Sequence, residues 1–330
     1  MKLKKALTGK YVMNSCLGLL AGVTVIPAFA LGNLLYNYAL NRKFNRINFD
    51  KLPSAEHEKS SKECPAPNLF DQDPNDTEWN GIFERRRERQ ITSDDGLKLF
   101  AYQIGDSNVK RQVVMVHGYG GDHTMYRHLA KNFYKAEFSV LIPDLRGHGK
   151  SEGKVICMGW NDRLDLIKWV ELLVSENPNC ELVLFGISMG AATVMMASGE
   201  KLPCNVKAII EDCGYTSAAD QFAHCLRFYF NIMPFPLLQY AGLVCRIRGG
   251  WGFREASSVK QLKNNRLPTL FIHGSDDNFV PAFMIDEVYA ATTGPKEKFV
   301  VPGADHAGAC CVDPEGYEKV ITEFLQKYQK

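Results

Sequence analysis

The chain has 330 residues, of which 45% are apolar and 23% charged, and its formal net charge is +2. That length holds one large α/β domain or two small ones, and the composition is ordinary for a globular protein. A near-neutral balance excludes the strongly basic face that nucleic-acid binding needs, and no RNA- or DNA-reading motif occurs.

From the N-terminus, Lys2, Lys4, Lys5 and Lys10 precede an apolar stretch from Tyr11 to about Leu40. Its cleanest part, Leu17 to Leu35, is interrupted only by Thr24 and Asn33. At about 1.5 Å per residue it would span roughly 28 Å, close to the thickness of a bilayer's hydrocarbon core. Residues 1–45 therefore read as a membrane anchor, with a buried core helix as the alternative. Ala28-Phe29-Ala30 after Pro27 resembles a signal-peptidase site, which leaves a secreted, cleaved form open. The basic flanks favour an N-terminus inside and a single-pass protein whose main domain lies outside. The unpaired thiols pull the other way. Cys16 precedes most of the apolar run and makes a poor lipoprotein site. Residues 46–80 are polar and hold Pro53, Pro65, Pro67 and Pro74, the composition of a linker. The mixed-sign run Glu84 to Arg89 reads as a solvated strand or hairpin edge.

From about Gly81 to the C-terminus, short apolar runs alternate with amphipathic ones. Leu97 to Ile104, Gln112 to His117, Phe138 to Pro143, Glu181 to Gly186, Val206 to Glu211, Thr269 to His273 and Lys298 to Val301 are predicted strands. Several are continuous apolar runs, as strands buried on both faces are. Thr124 to Lys135, Trp160 to Ser175, Met189 to Ser198, Ala282 to Ala291 and Pro314 to Tyr328 are predicted helices. The alternation predicts a mostly parallel sheet with helices on both sides, and reactive groups at the carboxyl ends of its strands.

The strand Glu181 to Phe185 runs into Gly186-Ile187-Ser188-Met189-Gly190 and then a helix. This is G-x-S-x-G in the strand-to-helix context of a nucleophile elbow. A serine hydroxyl needs a base, and the base should follow an acid later in the chain. Asp276 and Asp277 lie just past the strand ending at His273. His306 lies just past the last strand and is the only histidine after the acid site. His57 falls in the linker, His123 and His128 in or before a helix, and His224 in an insert. His148 and His273 occupy glycine-flanked turns that suggest structural roles. Two backbone N–H donors for an oxyanion would come from Met189 and from Tyr119, in the turn after the strand Val113 to Val116.

The ten cysteines (Cys16, Cys64, Cys157, Cys180, Cys204, Cys213, Cys225, Cys245, Cys310 and Cys311) do not form a disulfide scaffold in a chain of this size. None forms a Cys-x-x-Cys pair, and they read as small buried apolar residues. Cys310 and Cys311, close after His306, leave a thiol function open. No cofactor or metal is expected, and the oligomeric state is not legible.

The ordered set H-G-Y-G-G (117–121), D-L-R-G-H-G-K-S (144–151), G-I-S-M-G (186–190), H-G-S-D-D-N-F-V-P (273–281) and G-A-D-H (303–306) resembles the α/β-hydrolase superfamily. It is most similar to bacterial membrane-anchored hydrolases grouped with prolyl-oligopeptidase-like (S9) serine peptidases, as is Arg248-Gly249-Gly250-Trp251 with Arg254-Glu255-Ala256-Ser257. The resemblance covers about residues 81–330 and implies the α/β-hydrolase fold for a catalytic domain of that extent. It implies catalytic Ser188, Asp277 and His306, because the pattern H-G-x-x-D-x-x-V-P selects Asp277 over Asp276. The family includes esterases, lipases, thioesterases, amidases and peptidases, and this chain lacks the propeller domain of true prolyl oligopeptidases.

Between Glu211 and Thr269 lies an insert rich in aromatics, including Phe222, Phe228, Tyr229, Phe230 and Phe235. It reads as a small helical lid, at about 215–260, able to form an apolar acyl pocket or simply to pack on the body. With no acidic cluster to receive a cationic peptide, the expected substrate is a small carboxylic ester. A short peptide or amide is the alternative, and a membrane-anchored, non-catalytic binding protein is the third reading.

Overall fold

The computed structural model describes residues 29–43 and 75–328. Eight strands form one sheet: β1 (Arg87–Thr92), β2 (Lys98–Ile104), β3 (Arg111–Val116), β4 (Ser139–Pro143), β5 (Glu181–Ile187), β6 (Val206–Asp212), β7 (Thr269–Gly274) and β8 (Lys296–Val301). Their order is β1-β2-β4-β3-β5-β6-β7-β8. β1 and β2 pair antiparallel, β2 joins β4 antiparallel, and every later neighbour is parallel.

The continuous apolar runs are explained by two buried faces. On β5, Leu182 and Leu184 enter one core while Val183 and Phe185 enter the other, and β3 divides Val114 and Val116 from Val113 and Met115 in the same way. Side chains alternate across a strand, so a strand covered on both sides needs apolar residues at every position. β1 is the exception. It is an edge strand, and its charges are laced to neighbours through pairs such as Lys150–Glu88 and Arg89–Glu176. Such charges also discourage pairing with another chain's edge.

The helices are α1 (residues 29–40), α2 (Thr77–Glu84), α3 (Arg127–Lys135), α4 (Asp162–Glu176), α5 (Met189–Ala197), α6 (Ala218–Phe228), α7 (Leu237–Gly249), α8 (Ser258–Leu262), α9 (Phe283–Ala291), α10 (Ala309–Val312) and α11 (Pro314–Tyr328). Helices α6 and α7 fall in the expected lid insert, with α8 at its close. The predicted helix from Thr124 opens instead as a 3₁₀ turn, His123–Tyr126, before α3.

Two expected boundaries differ from the structure. The body does not begin at residue 81: α2 crosses that point and places Trp79 and Phe83 in the core. The described part of the expected 1–45 segment, residues 29–43, is not apart from it either. α1 lies on the body with Tyr36 and Leu40 buried, and Gly32 lets it approach α7, where an added Cβ would come within 2.8 Å of the Ala241 nitrogen. Arg248 of α7 donates to the side-chain oxygens of Asn33 (2.9 Å) and Asn37 (3.0 Å). Past the helix, Ile156 N–H donates to the Leu40 carbonyl (2.8 Å) and Arg42 N–H to the Lys154 carbonyl (3.0 Å). Tyr36, Ala39 and Leu40 thus find a protein partner, a contact that hydropathy cannot distinguish from lipid.

Among the described residues no helix is long and apolar enough to cross a membrane. The expected span from Leu17 lies outside the described residues as far as residue 28.

Leu40→Ala tests this docking. A fully buried leucine in a packed core should cost about 2–5 kcal/mol on truncation, read as a lower denaturant midpoint. A segment independent of the body would leave the midpoint unchanged.

Candidate active site

Ser188 stands between β5 and α5 with φ 57° and ψ −117°. A non-glycine residue there is strained and must be held by its surroundings. Its N–H donates to the Asp212 carbonyl of β6 (2.8 Å). The flanking glycines are dictated by contact: a Cβ on Gly190 would lie 1.7 Å from the Val116 carbonyl oxygen, and one on Gly186 would lie 2.3 Å from that of Gly190. The turn is therefore wedged against the end of β3, and the serine oxygen projects above the sheet.

Three loops converge on it. The loop after β8 brings His306 Nε2 to 2.9 Å from Ser188 Oγ. The loop after β7 brings Asp277 Oδ2 to 2.8 Å from His306 Nδ1. With the carboxylate accepting at Nδ1–H, Nε2 is left to accept from the serine hydroxyl. Asp277 Oδ1 accepts the N–H groups of Phe279 (2.9 Å) and Val280 (2.8 Å), and its Oδ2 is 3.3 Å from His273 Nε2. Burial pushes this carboxyl up, but the charge of His306 and the hydrogen bonds from His273 and His306 outweigh it and hold the group well below the ordinary carboxylate range. Asp276 is exposed, and its carboxylate accepts from Ser275 Oγ (2.6 Å). Of the two neighbours, only Asp277 reaches the imidazole.

The third loop follows β3. A Cβ on Gly118 would lie 3.4 Å from Ser188 Cβ, so this loop passes directly over the serine. Tyr119 and Met189 both border the cavity that opens on Ser188. Met189 is the first residue of α5, where backbone N–H groups lack helical partners. His148 Nε2 accepts the Gly120 N–H (3.2 Å), and His117 Nε2 accepts the Leu145 N–H (3.0 Å). Burial, followed by the nearby His117, pushes His148 down to about 3, which keeps it a neutral acceptor. The D-L-R-G-H-G stretch thus ties down the H-G-Y-G-G loop, a positioning role for His148 that its glycine neighbours only hinted at.

Cys213 lies beneath the site. Its sulfur and ligand atoms of Asp277 and His306 all fall within 4.8 Å of one another. Burial pushes the thiol well above its ordinary value, which disfavours the thiolate that a metal would require. Cys310 and Cys311 are buried in the core beside α11, as packing residues. Cys157, Cys180, Cys204, Cys213, Cys225 and Cys245 are free thiols among the described residues.

The cavity at Ser188 encloses about 780 Å³ of space, part of it open to solvent. The lid contributes Phe222, Leu226, Tyr229 and Phe230, and α1 contributes Leu35, Tyr38 and Ala39. The Tyr119 hydroxyl donates to the Ala39 carbonyl, joining α1 to the loop over the serine. The α1 residues were invisible as site residues in the sequence, because their apolar run reads as a membrane segment.

Residues 107–233 match the family described as serine aminopeptidase, S33. The uncharacterized protein YqkD of Bacillus subtilis is 30% identical over 239 residues, covering 71% of this chain and 77% of the relative. Protein bem46 of Schizosaccharomyces pombe is 27% identical over 278 residues, 83% of each chain. Among solved structures, the esterase Pf2001 of Pyrococcus furiosus superposes with a TM-score of 0.60 at 23% identity, covering 74% of this chain and 92% of that one. Acylaminoacyl peptidase of Pyrococcus horikoshii has a TM-score of 0.56 at 17% identity, over 74% of this chain and 42% of that one. The chain belongs to the α/β-hydrolase superfamily of serine hydrolases. The matched family is S33 where nearness to S9 peptidases was expected, and the likeness to acylaminoacyl peptidase is one of fold.

The wedge predicts a sharp contrast between two glycines. Gly190→Ala should destabilise the fold by about 4 kcal/mol or more in chemical denaturation, or prevent folding. Gly242→Ala, in α7, meets only an ordinary contact at 3.6 Å from Phe253. It should leave stability unchanged or raise it by about 1 kcal/mol.

Proposed function

We propose that this hydrolase cleaves carboxylic esters of an apolar acyl group through an acyl-enzyme. Ser188 Oγ attacks the ester carbonyl while His306 Nε2 takes its proton. The tetrahedral oxyanion is received by the N–H groups of Met189 and Tyr119. The alcohol leaves with the proton returned by His306. Water, deprotonated by the same imidazole, then releases the acid. Asp277 holds the ring orientation and stabilises its charged form.

The observation that supports ester over free peptide is the lining of the cavity. Among the described residues no Asp, Glu, Lys or Arg borders it. An aminopeptidase must receive the substrate's α-ammonium, and an apolar wall leaves that charge desolvated and unpaired. An apolar acyl chain meets no such cost, and each methylene buried contributes about 0.8 kcal/mol. The second reading is an amidase or peptidase acting on a blocked, uncharged substrate. The likeness to acylaminoacyl peptidase favours it as the alternative.

A panel of p-nitrophenyl esters, aminoacyl anilides and N-acetylated aminoacyl anilides separates the readings. The kcat/KM for esters should rise about tenfold or more from acetyl to octanoyl. Turnover of free aminoacyl anilides above that of every ester would reject the proposal.

Ser188→Ala should remove both ester turnover and fluorophosphonate labelling without moving the unfolding midpoint. Residual turnover above about a few per cent would reject Ser188 as nucleophile. Asp277→Asn should lower kcat by about 10⁴-fold, as the equivalent change does in serine proteases. Asp276→Asn should be far milder at saturating ester. The reverse order would reassign the acid.

A further inference from the structure

Large apolar side chains left exposed are not scattered over this protein. Of the fourteen found among the described residues, eleven lie on α1 or in the lid between residues 228 and 247. Met233 and Phe235 are each 72% exposed, Ile247 67% and Leu34 64%. Clusters on this scale are uncommon on a monomer's solvent face and mark an interaction surface. The cluster also has a centre. Tyr38 and Phe230 both line the Ser188 cavity and are both partly exposed, so they stand at its mouth. Leu34 lies one helical turn before Tyr38, and Ile232 and Met233 follow Phe230.

Charge limits what can cover this face. Residues 1–49 contain no Asp or Glu and seven Lys or Arg, and residues 227–250 contain no Asp or Glu and three Arg. Within these two segments every charged residue is a cation, with Arg246 paired to Glu255 at the end of α7, and an apolar face carried by such segments is complementary to an anionic bilayer, where the apolar side chains enter the acyl boundary and the cations meet the headgroups. The chain preceding α1 points the same way: Lys2, Lys4, Lys5 and Lys10 are followed by the apolar run that enters α1 at Phe29.

We propose that the face formed by α1 and the lid seats on an anionic lipid surface, with the mouth of the Ser188 cavity inside the contact, so that acyl substrates enter from the bilayer. Entry of an acyl ester rests on the proposed function; the docking itself does not.

The test uses the full chain on vesicles of phosphatidylglycerol carrying brominated acyl chains, which quench tryptophan within the bilayer. Met233→Trp, Phe235→Trp and, on β8 away from the face, Val300→Trp are compared after subtraction of the native signal. The added emission at 233 and 235 should lose about half its intensity, and that at 300 little, because interfacial contacts reach only ~5–10 Å into the acyl boundary. Equal quenching at all three positions, or none, would overturn the proposal. So would emission at 233 and 235 that is already blue-shifted without lipid, which would assign the face to another part of this chain or to a second copy. In a separate arm, Met233→Glu with Phe235→Glu should lower hydrolysis of a vesicle-held long-chain ester about tenfold. A soluble short ester should be cleaved as by the wild type, since neither residue lines the cavity. An equal fall on both substrates, or no fall on either, would overturn it. If the enzyme cleaves no ester, the proposed function fails, and the quenching still decides the docking.

Discussion

The reversal between β5 and α5 at Ser188 is the constraint on which the rest of the site depends. A serine at φ 57° is costly by itself, of order 1–3 kcal/mol. It persists because three strands hold it. β5 delivers it, the Asp212 carbonyl of β6 binds its N–H, and the end of β3 closes on Gly190 so tightly that no side chain fits. These three strands are adjacent and parallel in the sheet, so their carboxyl ends meet at one rim. The parallel order places the loops after β7 and β8 on the same rim, which brings Asp277 and His306 to the serine from far along the chain.

Electrostatics at this rim follow from burial. A carboxylate as enclosed as Asp277 would be expensive if unpaired. Two backbone N–H groups and the His306 imidazole hydrogen-bond it, His273 Nε2 lies 3.3 Å from its Oδ2, and the group remains ionised. One layer below, Asp212 is enclosed with fewer donors. Burial raises it to about 6 even though the Tyr317 hydroxyl donates to it at 2.8 Å. The two aspartates therefore differ in character because both oxygens of Asp277 accept hydrogen bonds, whereas Asp212 has the Tyr317 hydroxyl on Oδ2 and, among the described residues, no partner on Oδ1.

The N-terminal helix changes how the domain is understood. Its inner face supplies Tyr36 and Leu40 to the core and Leu35, Tyr38 and Ala39 to the cavity wall. Body, lid and α1 therefore enclose the Ser188 cavity together. An apolar wall made partly by a segment that also presents apolar residues outward links the shape of the cavity to whatever that outer face rests on.

The strands were legible because burial on both faces leaves continuous apolar runs, and Gly186, Ser188 and Gly190 were legible because their spacing is set by a local turn. The order of Ser188, Asp277 and His306 could be anticipated from where each falls past a strand end, and the choice of Asp277 over Asp276 needed a family pattern. Residue spacing could not decide which carboxylate faces the imidazole, because adjacent side chains leave a loop in opposite directions and only the folded loop selects one. Nor could it assign α1. A run such as Leu34 to Leu40 satisfies a bilayer and a protein groove equally well, since both reward the loss of apolar surface from water. Only the tertiary structure, with Gly32 against α7 and the Leu40 carbonyl accepting from Ile156, showed that the end of that run belongs to the wall of the cavity.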